Sequence, residues 1–126
     1  MVGLVIISHS RTLAEGVVEL VKMIAADVPV AAAGGRDDGG LGTSFEKICR
    51  AIEETDGGDG VILLMDMGSA VMTAEMVVEN MEGRKIIMAD APLVEGAVAA
   101  AADVSAGMAL EDVVAGLAEV KSIAKL

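Results

Sequence analysis

The sequence predicts an α/β fold of three layers, in which helices cover both faces of a mainly parallel four-stranded sheet. One observation behind it is a set of short apolar runs without polar alternation, the pattern of strands that are buried on both faces. Another is the helical spacing of apolar residues between those runs, which indicates crossover helices. The apolar runs are residues 2–7, 28–33, 61–65 and 86–89.

Each helix is predicted from apolar residues that recur about every three or four positions and so share one face. The element order is therefore βαβαβαβαα, in which an alanine-rich helix begins near Leu93 and a last helix carries a stripe from Leu110 to Val120. The stripes of the crossover helices are Leu13, Val17, Leu20, Val21 and Ile24 in the first, Phe45, Ile48, Cys49 and Ile52 in the second, and Val71, Ala74, Val78 and Met81 in the third.

The strand order follows from these connections. Right-handed crossovers place helices on both faces of a parallel sheet only if the strand order reverses. The simplest arrangement is 2-1-3-4, in which strands 1 and 3 are neighbours and their carboxyl ends border the crevice where such sheets bind ligands. A chain of 126 residues supports one core of this kind, so residues 1–126 are expected to form a single domain.

Composition argues against several classes of function. A net charge of −11 and a single aromatic side chain are unsuited to gripping nucleic acid. No apolar run approaches the roughly 18 residues of a membrane helix, and the N-terminus lacks a basic signal region, so we expect a cytoplasmic protein without membrane contact. One cysteine, Cys49, allows no internal disulfide, and one histidine argues against a metal site. Dinucleotide and P-loop motifs are absent, and no cofactor is expected.

Local signals mark the loops and the helix ends. Residues 34–42 are rich in glycine and form a predicted flexible loop. Thr43 and Glu46, which follow it, have the spacing of a capping box. Methionines near the end of the third strand are expected mostly to fill the core, although Met67 also offers an adaptable contact to a partner. These methionines are Met65, Met67, Met72 and Met76.

His9 is the residue with the clearest chemical potential. It follows the first strand, and the predicted strand order places it beside Asp66 at the end of the third strand. A carboxylate that accepts a hydrogen bond from one imidazole nitrogen fixes the tautomer and leaves a nucleophilic lone pair on the other nitrogen. The residues alone leave two interpretations open: a nucleophilic pair, or a satisfied polar residue beside a helix cap.

Small polar residues at the same edge favour an anion. Ser10 precedes one predicted helix, and Gly68 and Ser69 open another, each directly after a strand. The free N–H groups and positive dipole ends of both helices would therefore face the crevice that holds His9. Simple helix capping is an equally good interpretation for Ser69 and for Thr43.

Four ordered motifs resemble a known family. Residues 5–10 read VIISHS, residues 42–43 read GT, residues 65–70 read MDMGSA, and residues 91–96 read APLVEG. Together they resemble the phosphotransfer subunit of phosphoenolpyruvate-dependent dihydroxyacetone kinase, within the mannose-type enzyme IIA superfamily of the phosphotransferase system. The resemblance covers nearly the whole chain. Many sugar-transport relatives have glycine where Ser10 stands, and this difference favours the kinase branch.

The resemblance implies the fold of mannose-type IIA domains and a phosphotransferase that forms a tele-phosphohistidine at His9. It implies that Asp66 orients the imidazole. It also agrees with the expectation that Ser10, Gly68 and Ser69 contact the phosphate. A partner that reaches this histidine would also cover neighbouring residues of the strand ends. The expected docking residues are Gly42, Thr43, Met67 and Pro92.

The resemblance also implies the partners. The donor would be the histidine-containing phosphocarrier protein, and the acceptor would be ADP held by the nucleotide-binding subunit of the kinase. Phosphate would then pass to dihydroxyacetone on a third subunit, and the chain itself would form a homodimer. Two alternatives stay open: a sugar-transport enzyme IIA with the same chemistry, and a regulatory module that senses phosphorylation and binds another protein.

Overall fold

The computed structural model describes residues 1–126 and confirms the predicted alternation of strands and helices. The β4 strand is short, although the N–H of Ala89, just beyond it, still donates to the carbonyl of Leu63 at 2.9 Å. The elements are β1 (Gly3–Ser8), α1 (Arg11–Ile24), β2 (Val30–Gly34), α2 (Phe45–Thr55), β3 (Val61–Met65), α3 (Gly68–Asn80), β4 (Ile86–Met88), α4 (Leu93–Ser105) and α5 (Leu110–Val120).

The second strand begins later than the apolar run suggested. The prediction placed it at residues 28–33, whereas β2 spans Val30–Gly34. Pro29 explains the difference, because proline has no N–H to donate to a neighbouring strand. Its carbonyl still accepts a hydrogen bond from the N–H of Leu4 at 2.9 Å. The carbonyl of Pro29 therefore bonds to β1 one residue before the regular pairing of β2 with β1 begins.

The four strands are all parallel and lie in the order β2-β1-β3-β4, which confirms the predicted strand order. In this register Ser8 is paired with Gly34, and Ile7 is paired with Met65. The N–H of Asp66 continues the ladder by donating to the carbonyl of Ile7 at 3.1 Å. The residues that follow β1 and β3 are therefore adjacent at the carboxyl edge of the sheet.

Two separate apolar cores confirm the three layers. The β1 strand is buried along its whole length, and its side chains alternate between the two faces of the sheet. Leu4 and Ile6 pack in one core with residues of α1, α4 and α5. Val5 and Ile7 pack in the other core with residues of α2 and α3. None of the helices is both long enough and apolar enough to span a membrane.

The helix faces that pack on the sheet differ in part from the predicted stripes. In α1 the buried residues are Ala14, Val17 and Val21, whereas Leu13, Leu20 and Ile24 of the predicted stripe are between 39 and 48% exposed. In α3 the buried residues are Ala70, Ala74 and Val77, of which Ala74 belongs to the predicted stripe, whereas Ala70 and Val77 lie beside it. Periodicity alone does not show which of two adjacent apolar rows on a helix is buried. In α1 and α3 the buried row contains alanine, whose small side chain lets the helix approach the sheet closely.

The methionines near α3 correct another prediction. Met67, Met72 and Met76 are 60, 67 and 55% exposed, and only Met65 is partly buried. The expectation that most of them fill the core is therefore wrong. They lie away from the side of α3 that buries Ala74, because the small residues of that side already fill the space against the sheet.

The predicted capping box before α2 is also wrong by one residue. Ser44, not Thr43, is the N-cap, and its hydroxyl accepts a hydrogen bond from the N–H of Lys47 at 3.2 Å. The same hydroxyl donates to Asp37 at 2.6 Å, which fixes Ser44 in this position. Thr43 is thereby free to bond elsewhere.

Gly34 sets the approach of α1 to the end of β2, and we predict opposite effects for two glycine substitutions. A Cβ at Gly34 would lie 2.6 Å from the carbonyl oxygen of Ser10 and 2.8 Å from the Cα of Arg11, both backbone atoms. Gly34→Ala should therefore destabilise the protein by about 1–3 kcal/mol, the usual cost of overpacking. Gly16→Ala, in the middle of α1 with open space around it, should instead stabilise it by roughly 0.5–1 kcal/mol.

Urea unfolding followed by far-ultraviolet circular dichroism measures both free energies, since the chain has no tryptophan or tyrosine to serve as a fluorescent probe. Equal stability of the two variants would contradict the close approach of α1 and β2 at Gly34.

Candidate functional site

The candidate site lies at the carboxyl ends of the two central strands. His9 follows β1 and Asp66 follows β3, and the pairing of these strands brings the two residues together. The His9 Nδ1 atom is 2.9 Å from Asp66 Oδ1. Both side chains are largely shielded from solvent, with 21 and 13% of their surfaces exposed. The juxtaposition predicted from the strand order is therefore present.

The Asp66 carboxylate is held by four hydrogen bonds. Its Oδ1 atom accepts from the His9 ring at 2.9 Å and from the N–H of Met67 at 2.7 Å. Its Oδ2 atom accepts from the N–H of His9 at 3.0 Å and from the Ser8 hydroxyl at 2.9 Å. Both carboxylate oxygens are thus fixed, and the plane of the group is set relative to the imidazole.

These contacts keep Asp66 ionised. Partial burial raises the pKa of Asp66, but the hydrogen bonds from His9, Ser8 and Met67 outweigh the effect of burial and hold that pKa below its ordinary value of 3.8. A carboxyl group whose pKa is lower in the folded state stabilises the fold above its unfolded pKa. Its contribution is complete at neutral pH and is lost as the pH falls through the folded pKa.

The ionised carboxylate decides the tautomer of His9. Because Asp66 can only accept, the neutral imidazole carries its proton on Nδ1 and donates it to Oδ1. The lone pair of the neutral ring is then on Nε2, the nitrogen on the far side from Asp66. This arrangement makes Nε2 the nucleophilic atom of the site.

Nε2 faces the first turn of α3. The Ser69 hydroxyl lies in hydrogen-bonding contact with Nε2. The N-cap of α3 is Met67, which makes no side-chain capping bond, so no side chain covers the first N–H groups, those of Gly68 and Ser69. The interpretation of Ser69 as an N-cap is therefore wrong, since it lies inside the helix. Its hydroxyl and these N–H groups are suited to an anion next to Nε2.

Ser10 is differently placed. Its side chain caps α1 by accepting from the N–H of Leu13 at 3.2 Å, and its own N–H donates to the Ser8 hydroxyl at 3.0 Å. The backbone donor of Ser10 is thus already engaged. A phosphate contact from Ser10 stays a prediction that would involve its hydroxyl hydrogen.

The glycine-rich loop is tied to the site at its far end. The N–H of Gly42 donates to the carbonyl of His9 at 2.9 Å. Gly42 has a φ of +142°, which favours glycine, and a Cβ there would lie 2.7 Å from the Arg36 side chain, which would have to move. The Thr43 hydroxyl bonds that of Thr73 at 2.8 Å, and Thr73 donates to the carbonyl of Ser69 at 3.0 Å. This chain of contacts links the loop to the first turn of α3.

Met67 and Pro92 lie in different places. Met67 borders a surface cavity of about 440 Å³ next to Asp66, together with Met65 and Met88. Pro92 is the N-cap of α4 and lines a separate groove with Lys121 and Lys125 of the C-terminal segment. The site therefore brings His9 together with Asp66, Ser69 and Gly42, whereas none of these four residues lines the groove of Pro92.

Two residues of the site were not singled out from the sequence. Ser8 immediately precedes His9, and Thr73 follows Ser69 by four residues, one helical turn later. Their positions near candidate site residues were the only sign in the sequence that they belong to the site. Their hydroxyls depend on contacts with residues far along the chain, which spacing does not reveal. The structure contains no group of three or more side chains able to hold a metal ion.

Comparison with known proteins agrees with this geometry. Residues 3–114 match the family described as the PTS system fructose IIA component, EIIA-man. A crystal structure of a protein of unknown function superposes with a TM-score of 0.85 at 29% identity and covers 99% of this chain and 96% of its own. The match extends over the sheet and the helices alike, which independently supports the α/β fold.

Curated relatives are more specific. The chain is 46% identical over 102 residues to the phosphoryl donor subunit DhaM of PEP-dependent dihydroxyacetone kinase 1 from Listeria innocua, a match that covers 81% of each protein. It is 38% identical over 109 residues to the phosphotransferase subunit DhaM of the PTS-dependent dihydroxyacetone kinase from Lactococcus lactis, across 86% of this chain and 87% of that one.

The DhaM subunit of Escherichia coli is longer. It is 40% identical over 121 residues, which cover 90% of this chain but only 26% of that protein. The agreement of the fold, the family match and these relatives leads to one assignment: the chain belongs to the IIA component family of the phosphotransferase system and groups with its DhaM subunits.

Proposed function

We propose that the chain carries a phosphoryl group on Nε2 of His9. In this proposal the group comes from the histidine-containing phosphocarrier protein and passes to ADP bound on the nucleotide-binding subunit of dihydroxyacetone kinase. The observation that carries the proposal is the contact of His9 Nδ1 with the ionised Asp66, which leaves the lone pair on Nε2 beside the start of α3. The names of the DhaM relatives support the kinase as the destination.

The first transfer needs few protein groups. The Nε2 lone pair attacks phosphorus in line with the donor's phosphorus–nitrogen bond, and the electron pair of that bond returns to the donor's imidazole. The proton on Nδ1 stays in place. The ring then carries positive charge, which Asp66 stabilises from 2.9 Å.

The second transfer reverses the roles. A β-phosphate oxygen of ADP attacks phosphorus, the bond from phosphorus to Nε2 breaks, and its electron pair restores the neutral imidazole while ATP forms. The Ser69 hydroxyl contacts Nε2, so it must move away before that nitrogen can be phosphorylated. The hydroxyl would turn from Nε2 and donate to a phosphoryl oxygen, as would the first N–H groups of α3.

The proposal extends to the assembly. The dihydroxyacetone-binding subunit would receive the phosphate last, and the partners would dock over Gly42, Thr43 and the exposed Met67. We also propose a homodimer in the cytoplasm, for which the open edge of β4 offers unpaired backbone groups. Size-exclusion chromatography with light scattering measures the oligomeric state directly.

Discharge of the phosphorylated chain tests the acceptor. The labelled chain should keep its phosphate with free ADP, because the chain has no nucleotide-binding motif of its own. Adding the ADP-loaded nucleotide-binding subunit should speed the loss of label by about a hundredfold or more, since docking turns the transfer into a positioned reaction. Label loss and ATP formation are measured together.

Three other outcomes of the discharge experiment would contradict this function. Rapid discharge to free ADP would contradict the need for a partner. Discharge to a sugar-transport enzyme IIB domain, but not to the kinase subunit, would place the chain in sugar transport. A stable label with both proteins would favour a regulatory module.

A further inference from the structure

Ser8 is a buried polar residue at the carboxyl end of the central strand β1. It is 0% exposed, and only two other polar residues, Ser44 and Thr55, are buried, with 7 and 5% of their surfaces exposed. Both of those serve their own helix: Ser44 caps α2, and Thr55 donates back to the carbonyl of Ala51 at 2.8 Å. Ser8 serves no helix or strand of its own in this way. Its hydroxyl bonds the carboxylate of the candidate site instead.

The direction of each Ser8 hydrogen bond follows from its partners. The ionised Asp66 can only accept, so the Ser8 hydroxyl donates its single hydrogen to Oδ2 at 2.9 Å. The Ser10 N–H can only donate, so it occupies a lone pair of the Ser8 oxygen at 3.0 Å. The bond from the Ser10 N–H therefore fixes the Ser8 oxygen, and the hydroxyl hydrogen points toward Asp66.

This contact controls the orientation of the carboxylate. Oδ2 is held only by the Ser8 hydroxyl and the N–H of His9. Oδ1 is the atom that faces Nδ1. Without the Ser8 hydroxyl, Oδ2 keeps one donor instead of two, and the carboxylate is held less tightly by the three donors that remain, the His9 ring and the N–H groups of His9 and Met67. The bond from Oδ1 to Nδ1, which selects the tautomer, then weakens.

We infer that Ser8 is a positioning residue for the phosphoryl transfer: its buried hydroxyl fixes the Asp66 carboxylate so that the His9 proton stays on Nδ1 and the lone pair stays on Nε2. The inference rests on the proposed function for its kinetic consequence, but not for its effect on the imidazole. The same hydroxyl joins the capped start of α1 to the site, since its other partner is the N–H of Ser10.

Nitrogen NMR of the His9 ring tests this inference without any phosphoryl transfer. The spectra are recorded at alkaline pH, in the range where the ring signals no longer change with pH, and the native chain should give one protonated and one unprotonated nitrogen signal. In Ser8→Ala the two shifts should move toward each other as the second tautomer becomes populated. Transfer from the phosphocarrier protein should slow by about tenfold, the lower range for losing a partner behind a histidine.

Matched variants separate positioning from packing. Ser105→Ala removes a similar bond, from a serine hydroxyl to Asp27 at 3.0 Å, but on the exposed surface away from His9, and it should leave the ring shifts unchanged. Ser8→Cys leaves no cavity, replaces the hydroxyl with a slightly larger thiol that is a much weaker donor, and should behave like Ser8→Ala. It carries the test if the alanine variant does not fold.

Native ring shifts in a folded Ser8→Ala or Ser8→Cys variant would overturn the inference. If the native chain accepts no phosphate, the proposed function fails, yet the ring shifts still decide the role of Ser8.

Discussion

His9→Ala is expected to abolish phosphorylation of the chain while leaving its fold intact. His9 is the only histidine in the sequence, and because Asp66 engages its Nδ1, we expect the phosphohistidine to form on Nε2. The side chain lies at the edge of the sheet and is not part of either apolar core. The chain is incubated with labelled phosphoenolpyruvate, the phosphocarrier protein and enzyme I, the protein expected to phosphorylate that carrier. Electrophoresis then measures the incorporation of phosphate.

The chemistry of the label distinguishes His9 from its neighbours. Phosphohistidine is lost in acid and survives alkali, whereas a phosphoserine at Ser69 would survive acid. The native chain should therefore lose its label on acid treatment, and Ser69→Ala should still be labelled. Label that persists in His9→Ala would show that another residue accepts the phosphate.

Substitution of Asp66 is expected to have the second largest effect. Asp66→Asn and Asp66→Ala should both keep the fold and slow transfer, with the alanine variant slowed by about a hundredfold or more. The alanine variant loses the acceptor that selects the tautomer of His9. It also leaves the buried hydroxyl of Ser8 without its acceptor, at about 1–3 kcal/mol of unfolding free energy, whereas the exposed N–H of Met67 can bond water instead.

Asparagine retains one acceptor oxygen for these donors, so it should destabilise the protein less. Its amide group can donate to Nδ1, however, and would then move the ring proton to Nε2. Rapid-quench measurement of transfer gives the rates, and nitrogen NMR gives the tautomer.

Asp59→Asn provides the matched control. Asp59 precedes β3 at the opposite end of the sheet, where it pairs with the N-terminal ammonium at 2.6 Å. This variant removes a paired carboxylate without approaching His9, and transfer should proceed at the native rate. Native transfer rates in both Asp66 variants would mean that Asp66 only caps the chain between β3 and α3.

The sheet and the central pair could be predicted because they depend on general features of the chain. Continuous apolar runs define strands, and the handedness of crossovers restricts their order. Once β1 and β3 are neighbours, His9 and Asp66 must meet, although 57 positions separate them. Neither step required the position of any individual atom.

The helix faces could not be predicted in the same way. In α1 the predicted stripe contains Val17 and Val21, which are buried, but the row of Leu13 and Leu20 on one side of them is exposed and the row of Ala14 on the other side is buried. The choice depends on how closely the helix approaches the sheet, and Gly34 permits that approach. The sequence shows both rows but does not show the distance between layers.

By itself, the sequence determined the strand order, the edge where the site lies, and the pairing of His9 with Asp66, because periodicity and chain connection act over whole elements. Only the tertiary structure decided that Ser44 caps α2, that Thr43 bonds Thr73, and that the Ser8 hydroxyl holds Asp66. Hydrogen bonds depend on distances of a few tenths of an ångström between groups remote in the chain. Such distances are fixed only when all the layers have packed.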